Sequence, residues 1–337
     1  MGVVADVIEH DERSERAHDS DGTPSWQESV ALAWGDGDAG VGGFVRIGHE
    51  PHHDGGIAVV TGGVVTRTGT AFRRNAVDRL SVENRLETGF GAREGTYRVT
   101  YEDGIRYTAV DGPLKLDLRV SDYYGRTDFF PEDAGSLVDE FASSHFETSG
   151  QITGWVELDG TTFEVNGMCH RDHSWGTRKW DTILSHRWCP MTFGPDLSIG
   201  NIVWHSADGA IRDFGYVVRD GKVTYASAVD TVVEMEADGI SFRGGTVTVT
   251  LHDGERLAVD VRTMDAIVND HHGVVWLAGI GEAELDGRIG FCDLEVSNNA
   301  RAGTRPVTTT MRAMKDDGLR ICEPSRGSAE RASLLRR

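Results

Sequence analysis

Lysine is almost missing from this chain. Of 34 basic residues only four are lysine, and 54 acidic residues leave a formal net charge of −20. A polyanion of that charge repels phosphate, and no basic stripe offsets it, which argues against nucleic acid and anionic membrane surfaces as partners. Long apolar runs are also lacking: none approaches the roughly 18–20 residues that cross a bilayer as a helix, so no integral membrane association is expected. The opening residues, MGVVADVIEHDERSER, have neither the basic start nor the apolar stretch of a secretory leader. The expected location is the cytoplasm.

Cysteine is scarce too. Cys169, Cys189, Cys292 and Cys322 are too few and too scattered to staple a chain of this length. None stands in a C-x-x-C pair, so neither a zinc ribbon nor a thioredoxin-type redox pair is visible. Reduced, structural thiols are expected. The chain lacks a GxGxxG after a strand, a GxxxxGK[ST] loop and a G-x-S-x-G elbow. Dinucleotide folds, P-loops and α/β serine hydrolases therefore have no fingerprint here, and no cofactor is expected.

Glycine is abundant, with 42 residues against eight prolines, and much of it sits in Asp-Gly pairs. Trp155-Val-Glu-Leu runs into Asp159-Gly160 and on to Thr-Thr-Phe-Glu-Val165. Tyr216-Val-Val-Arg leads through Asp220-Gly221 to Lys-Val-Thr-Tyr225, and Val247 to His252 leads through Asp253-Gly254 to Val261. A type I′ turn needs positive φ at both central residues, which Asp-Gly supplies cheaply, so each reads as a two-residue hairpin. Hairpins at this spacing build antiparallel sandwiches or barrels. Helical signal is thin, limited to a short surface helix or loop over Pro131–Ala142. Residues 1–24 and 323–337 read as tails. Two β domains, 25–182 and 183–322, are expected between them, meeting at a connector where strand patterning lapses.

That connector, His170-Arg-Asp-His-Ser-Trp-Gly-Thr-Arg-Lys-Trp180 continuing to Trp188, packs three tryptophans, three histidines, three arginines and two aspartates into nineteen residues. Charges interleaved with indoles become partly buried, and buried charges must be paired. In one reading, Arg171 or Arg178 holds Asp172 and the indoles cement two domains. In the other, Asp172 or His173 donates a proton at the mouth of an apolar cavity. Burial would then raise the Asp172 pKa, whereas a neighbouring arginine would lower it.

The stretch Ser143-Ser-His-Phe-Glu-Thr-Ser-Gly-Gln-Ile-Thr-Gly-Trp-Val-Glu-Leu-Asp-Gly-Thr-Thr-Phe-Glu-Val-Asn-Gly167, followed by His170-Arg-Asp-His-Ser-Trp-Gly-Thr-Arg178, resembles the AttH/CrtC-like superfamily. That group includes carotenoid 1,2-hydratase (hydroxyneurosporene synthase), related terpenoid cyclases and lipocalin-like Diels–Alderases. Gly42-Gly-Phe-Val-Arg-Ile-Gly48 fits the same general pattern. The resemblance implies two lipocalin-like antiparallel β-barrel or sandwich domains, with a hydrophobic ligand in one barrel or between them. By motif position it makes Asp172 the acid, with Arg171, Arg178 and His170 in support and Trp175 and Trp180 as walls. His173 replaces an arginine found in many relatives, which leaves a histidine relay open. Trp188, Trp204, Tyr216, Trp276 and Tyr123 are further candidates for the lining.

Protonating an alkene needs a strong acid in a space that excludes bulk water, and the resulting cation is stabilised by aromatic faces. The expected function is therefore cofactor-independent hydration, dehydration or cyclisation of an isoprenoid, steroid or polyketide-type molecule. A non-catalytic carrier with the same cavity is the alternative. A weaker one is a metal-dependent enzyme built on His49, His52 and His53 of the run His49-Glu-Pro-His-His-Asp54. Sequence leaves the oligomeric state open.

Overall fold

The computed structural model describes residues 4–9, 12–129, 141–236, 241–299 and 319–322. Two antiparallel sheets account for nearly all of it. The first holds twelve strands and curls without closing, running from Gly69–Arg79 at one edge through Ile57–Thr66, Val41–Glu50, Trp26–Asp36, Thr161–Thr177 and Ser144–Leu158 to the short strands before residue 101. In the second, eight strands between Ile183 and Asn299 close into a barrel, because Lys222–Glu236 pairs with both Ile211–Arg219 and Phe242–Leu251. The expected two-barrel architecture is thus observed, with one barrel complete. No helix among the described residues is long and apolar enough to cross a membrane.

The turns show why these strands pair. Asp159-Gly160, Asp220-Gly221 and Asp286-Gly287 all have positive φ at both positions and close two-residue hairpins. Asp253-Gly254 does not: the strands stop at Leu251 and resume at Arg256. There Gly254 N–H donates back to the Leu251 carbonyl across a four-residue loop. Its place as a two-residue hairpin is taken further on by His272-Gly273, where His272 has φ 50°.

A second difference concerns the supposed connector. Residues 161–177 form one unbroken strand, paired on one side with Ser144–Leu158 and on the other with Trp26–Asp36. Of the supposed connector, only residues 178–182 lie between the two sheets, through a single 3-10 turn at Trp180–Thr182. Strand alternation is present from His170 to Trp175, but both faces of the strand are covered and both carry polar groups, so no apolar/polar alternation marks it. The third difference is at the start of the chain. Val4–Asp6 pairs with the barrel strand Lys222–Glu236, and a helical turn at Glu12–Glu15 delivers Glu15 to Arg171. The described part of 1–24 is therefore tied down by short pairings and ion pairs, contacts that leave no periodicity to read. Expectations for residues 131–140 and 323–337, and for the Cys322 side chain, lie outside the described residues. Cys169, Cys189 and Cys292 are buried free thiols.

The barrel interior is filled by its own side chains, among them Met191, Val217, Val249, Leu277 and Leu294. A separate apolar cluster joins the domains: Ala31, Ala33 and Phe44 of the open sheet meet Ile267, Trp276, Ala278, Ile280 and Phe291 of the barrel. Close approach needs small residues, and a Cβ on Gly42 would lie 2.6 Å from the Ile280 side chain. In the lead-in to the Arg-Asp-His-Ser-Trp motif, Gly154 has φ 135°, and a Cβ there would stand 2.1 Å from the Asp117 carbonyl oxygen. Only glycine fits that backbone.

Candidate active site between the two domains

Alternation in the Thr161–Thr177 strand sorts the motif. Arg171, His173 and Trp175 turn into the open sheet's own interior, while His170, Asp172 and Ser174 face the barrel. Pairing then sets a row of charge across that face. Arg46 stands opposite Ala31, Ala31 opposite Asp172, and Asp172 opposite Glu147. Directly opposite residues share a face, so the row is a consequence of register alone. His145, one step along, brings its Nε2 to 3.8 Å from Asp172 Oδ2 and 3.6 Å from Glu147 Oε1.

The barrel presents the other wall. On the Arg288–Asn299 strand, Glu295 lies opposite Trp188 and Ala278. His186 Nε2 is 3.3 Å from Glu295 Oε2, and His186 Nδ1 is 2.8 Å from Ser297 Oγ. Between the walls is a cavity of about 120 Å³, open at its mouth. Its sides are mainly apolar, with Ala31, Phe44, Phe129, Trp180, Trp188, Ile202 and Trp276; Arg46, His145, Asp172, Arg178, His186 and Glu295 supply the polar groups.

Burial decides the protonation of this ring. Glu295 is pushed well above its ordinary value, first by burial and then by the Asp172 carboxylate. Both effects favour its protonated form. Burial lowers His186 to about 4 and also depresses His145, leaving both rings uncharged. Burial lowers Arg178 to about 9, with the neighbouring Arg46 charge adding to the effect. Arg46 Nη1 and Arg178 Nε are buried with no protein hydrogen-bond partner. Glu147 differs from Glu295. Burial alone would raise it, but the charge and hydrogen bond of His170 hold it below its usual value. It accepts hydrogen bonds from Trp188 Nε1–H at 2.8 Å and Tyr216 O–H at 2.6 Å, which ties the two domains together.

Because His186 stays neutral when folded and titrates near 6.5 when unfolded, the unfolded chain binds more protons between those values. Its contribution is complete above pH 6.5 and is lost as pH falls towards 4. Denaturation midpoints should drop over that interval by an amount equivalent to about 3 kcal/mol. A His186→Gln variant should lose that part of the slope.

The site therefore contains Asp172, Arg178, Trp180, Trp188 and Trp276 from the sequence expectations. The others lie elsewhere. His173 is fully buried on the opposite face and donates to Glu28 Oε1 at 2.9 Å. Arg171 points the same way and clamps Asp122 and Glu15, so Asp172 is paired with neither Arg171 nor Arg178. Trp175 stacks on His18 at 3.7 Å. His170 is held by Ser149 and Glu147 behind the cavity. Trp204 packs against Phe141, and Tyr216 is engaged by Glu147. Tyr123 borders a different, polar groove at the far side of the interface. The proposed histidine trio also separates: His49 donates to the Gly91 carbonyl, His52 meets Ser20, and His53 packs edge-on to His272. His49 and His52 diverge because the run begins as a strand, in which neighbours alternate, and then enters a turn at Pro51.

Sequence reasoning missed Glu295, His186, His145 and Arg46. A family described as a domain of unknown function (DUF7064) matches residues 11–300. No curated protein sequence matches the chain. Among solved structures, the chain is similar to a Nitrosomonas europaea protein assigned as AttH. The TM-score is 0.65 at 11% identity, over 87% of this chain and 97% of that one. It is also similar to kievitone hydratase from Nectria haematococca, with TM-score 0.59 and 8% identity over 88% and 95% of the two chains. CghA, solved with Sch210972, gives 0.54 at 14% identity over 82% and 89%. These likenesses bear out the AttH/CrtC-like resemblance at the level of the fold.

Proposed function

We propose that this chain, which belongs to the DUF7064 family, is an acid/base enzyme that hydrates, dehydrates or cyclises a hydrophobic, oxygen-bearing small molecule in the cavity between its domains. The observation that carries this reading is the pair of carboxyl groups, Glu295 and Asp172, lining one mainly apolar cavity, with burial and the Asp172 charge pushing Glu295 towards its protonated form. Such a pair can divide the work of acid and base.

Ser297 Oγ accepts the backbone N–H of His186, which leaves its hydroxyl hydrogen for His186 Nδ1. Nε2–H then faces Glu295 Oε2, and the carboxyl hydrogen sits on the other oxygen, free to be delivered to a substrate carbon. The faces of Trp180, Trp188 and Trp276 stabilise the cation formed. In hydration, a water near Asp172 and His145 loses a proton to that pair as its oxygen bonds to the cation; in cyclisation, a second double bond bonds to the cation instead, and the new cation so formed loses a C–H proton to the same pair, leaving a double bond. Arg46 and Arg178 offer their spare N–H groups to an oxygen of the substrate. The hydratase and the Sch210972 complex among the structural neighbours support this class of chemistry.

Native mass spectrometry of the chain taken gently from its source cells, with extraction of bound small molecules, tests the reading. The expected result is a hydrophobic ligand that the wild-type chain converts to a product differing by one water, or to an isomer, while Asp172→Asn binds it without turnover. A ligand released unchanged by the wild-type chain would make the protein a carrier.

A further inference from the structure

We infer that Glu50, His271 and His272 form a binding site for a divalent transition-metal ion, zinc in the first instance, that bridges the two domains. The carboxylate comes from the end of the Val41–Glu50 strand of the open sheet and the two imidazoles from a hairpin of the barrel. The inference is independent of the acid/base reading of the cavity.

Consecutive residues of a strand point to opposite faces, so adjacent histidines ordinarily diverge. Here His271 is the last residue of its strand, and His272 enters the turn with φ 50°. That left-handed step swings both rings to one side, their centroids 4.1 Å apart. His271 Nε2 lies 2.6 Å from Glu50 Oε1, and His272 Nε2 lies 2.8 Å from Glu50 Oε2. One ligand atom from each residue falls within 4.8 Å of the other two. Two imidazoles and a carboxylate suit zinc and its first-row neighbours. Opening the short contacts by roughly half an ångström admits an ion at the usual zinc–nitrogen and zinc–oxygen distances of about 2.0–2.2 Å. Nε2 of each ring would then bind the ion, with the ring hydrogen on Nδ1. His53 packs edge-on to His272 at 4.9 Å but stands outside the trio, so water would complete the coordination. Trp180 packs against both rings and also walls the cavity, so the ion would fix one side of the cavity without entering it.

A second trio, His18, Glu28 and His173, shares the donor types. There the Glu28 oxygens already accept the His18 backbone N–H as well as both rings. That carboxylate is saturated and acts as a tether, whereas only the two rings hydrogen-bond the Glu50 carboxylate.

The test is to strip the full chain with a chelator, then titrate it with zinc chloride and, as a spectroscopic probe, cobalt(II) chloride. The site predicts about one equivalent bound, with cobalt ligand-field absorption typical of nitrogen and oxygen donors. It also predicts a melting temperature that rises when zinc is added. Glu50→Gln and His272→Ala should each weaken binding by at least about tenfold and abolish the rise, while His173→Gln leaves both unchanged. Circular dichroism shows whether each variant is folded. No uptake by the wild-type chain, uptake kept by both seam variants, or uptake lost in the His173 variant would each overturn the proposal.

Discussion

Replacing Arg171 by methionine should destabilise the chain by about 3–5 kcal/mol. Arg171 is 2% exposed and holds Asp122 and Glu15 together, with Nε 2.9 Å from Asp122 Oδ1 and Nη2 2.7 Å from Glu15 Oε1. Burial alone would depress its pKa, but the two carboxylates outweigh burial and raise it well above the ordinary value. A guanidinium fork meets two carboxylates with parallel hydrogen bonds, and methionine fills much of its volume without any. The two carboxylates then lose the guanidinium they share. Protonating them removes the charge that Arg171 answers, so the gap between variant and wild type should narrow on acidification below about pH 4. Urea denaturation across pH 4–8 measures this. A change below about 1 kcal/mol would show that the clamp contributes little.

Glu295→Gln should lower turnover of the cavity's ligand by about 10²- to 10⁴-fold while leaving the fold intact. Glutamine keeps the shape of a neutral carboxyl group and removes the hydrogen it delivers. The raised folded pKa gives the wild-type chain stability that is present below pH 4.5 and lost as pH rises through the folded value. The variant should therefore match or exceed the wild type in mildly alkaline solution, so loss of activity cannot be ascribed to unfolding. Equal turnover in both would remove Glu295 from the reaction.

Much of the fold was legible because Asp-Gly turns are local chemistry. The hairpin at Asp159-Gly160 even fixes who faces whom, since Leu158 opposite Thr161 carries through to Glu147 opposite Asp172. That register places Glu147 beside Asp172 from sequence alone, and alternation sends His173 to the other face. The motif instead reads as an irregular connector, because polar groups on both covered faces hide the period of two. Glu295 was illegible for another reason. Its protonation depends on burial across a domain interface more than a hundred residues away in sequence, and no spacing rule connects it to Asp172. The Glu50–His271–His272 convergence is legible only in part: the run around Glu50 stands out, while the turn that aims the two histidines onto it is a property of the folded barrel.

The most direct test of the account is the infrared spectrum of the folded chain at neutral pH, compared with Glu295→Gln and, as a control for the other deeply buried acid, Asp293→Asn, whose carboxyl burial also raises. The expected spectrum shows un-ionised carboxylic acid carbonyl stretch from both groups, of which Glu295→Gln loses one component and Asp293→Asn keeps that component while losing the other. A wild-type spectrum that Glu295→Gln leaves unchanged in that region would mean that Glu295 is ionised, with no proton to give, and would contradict the proposed chemistry.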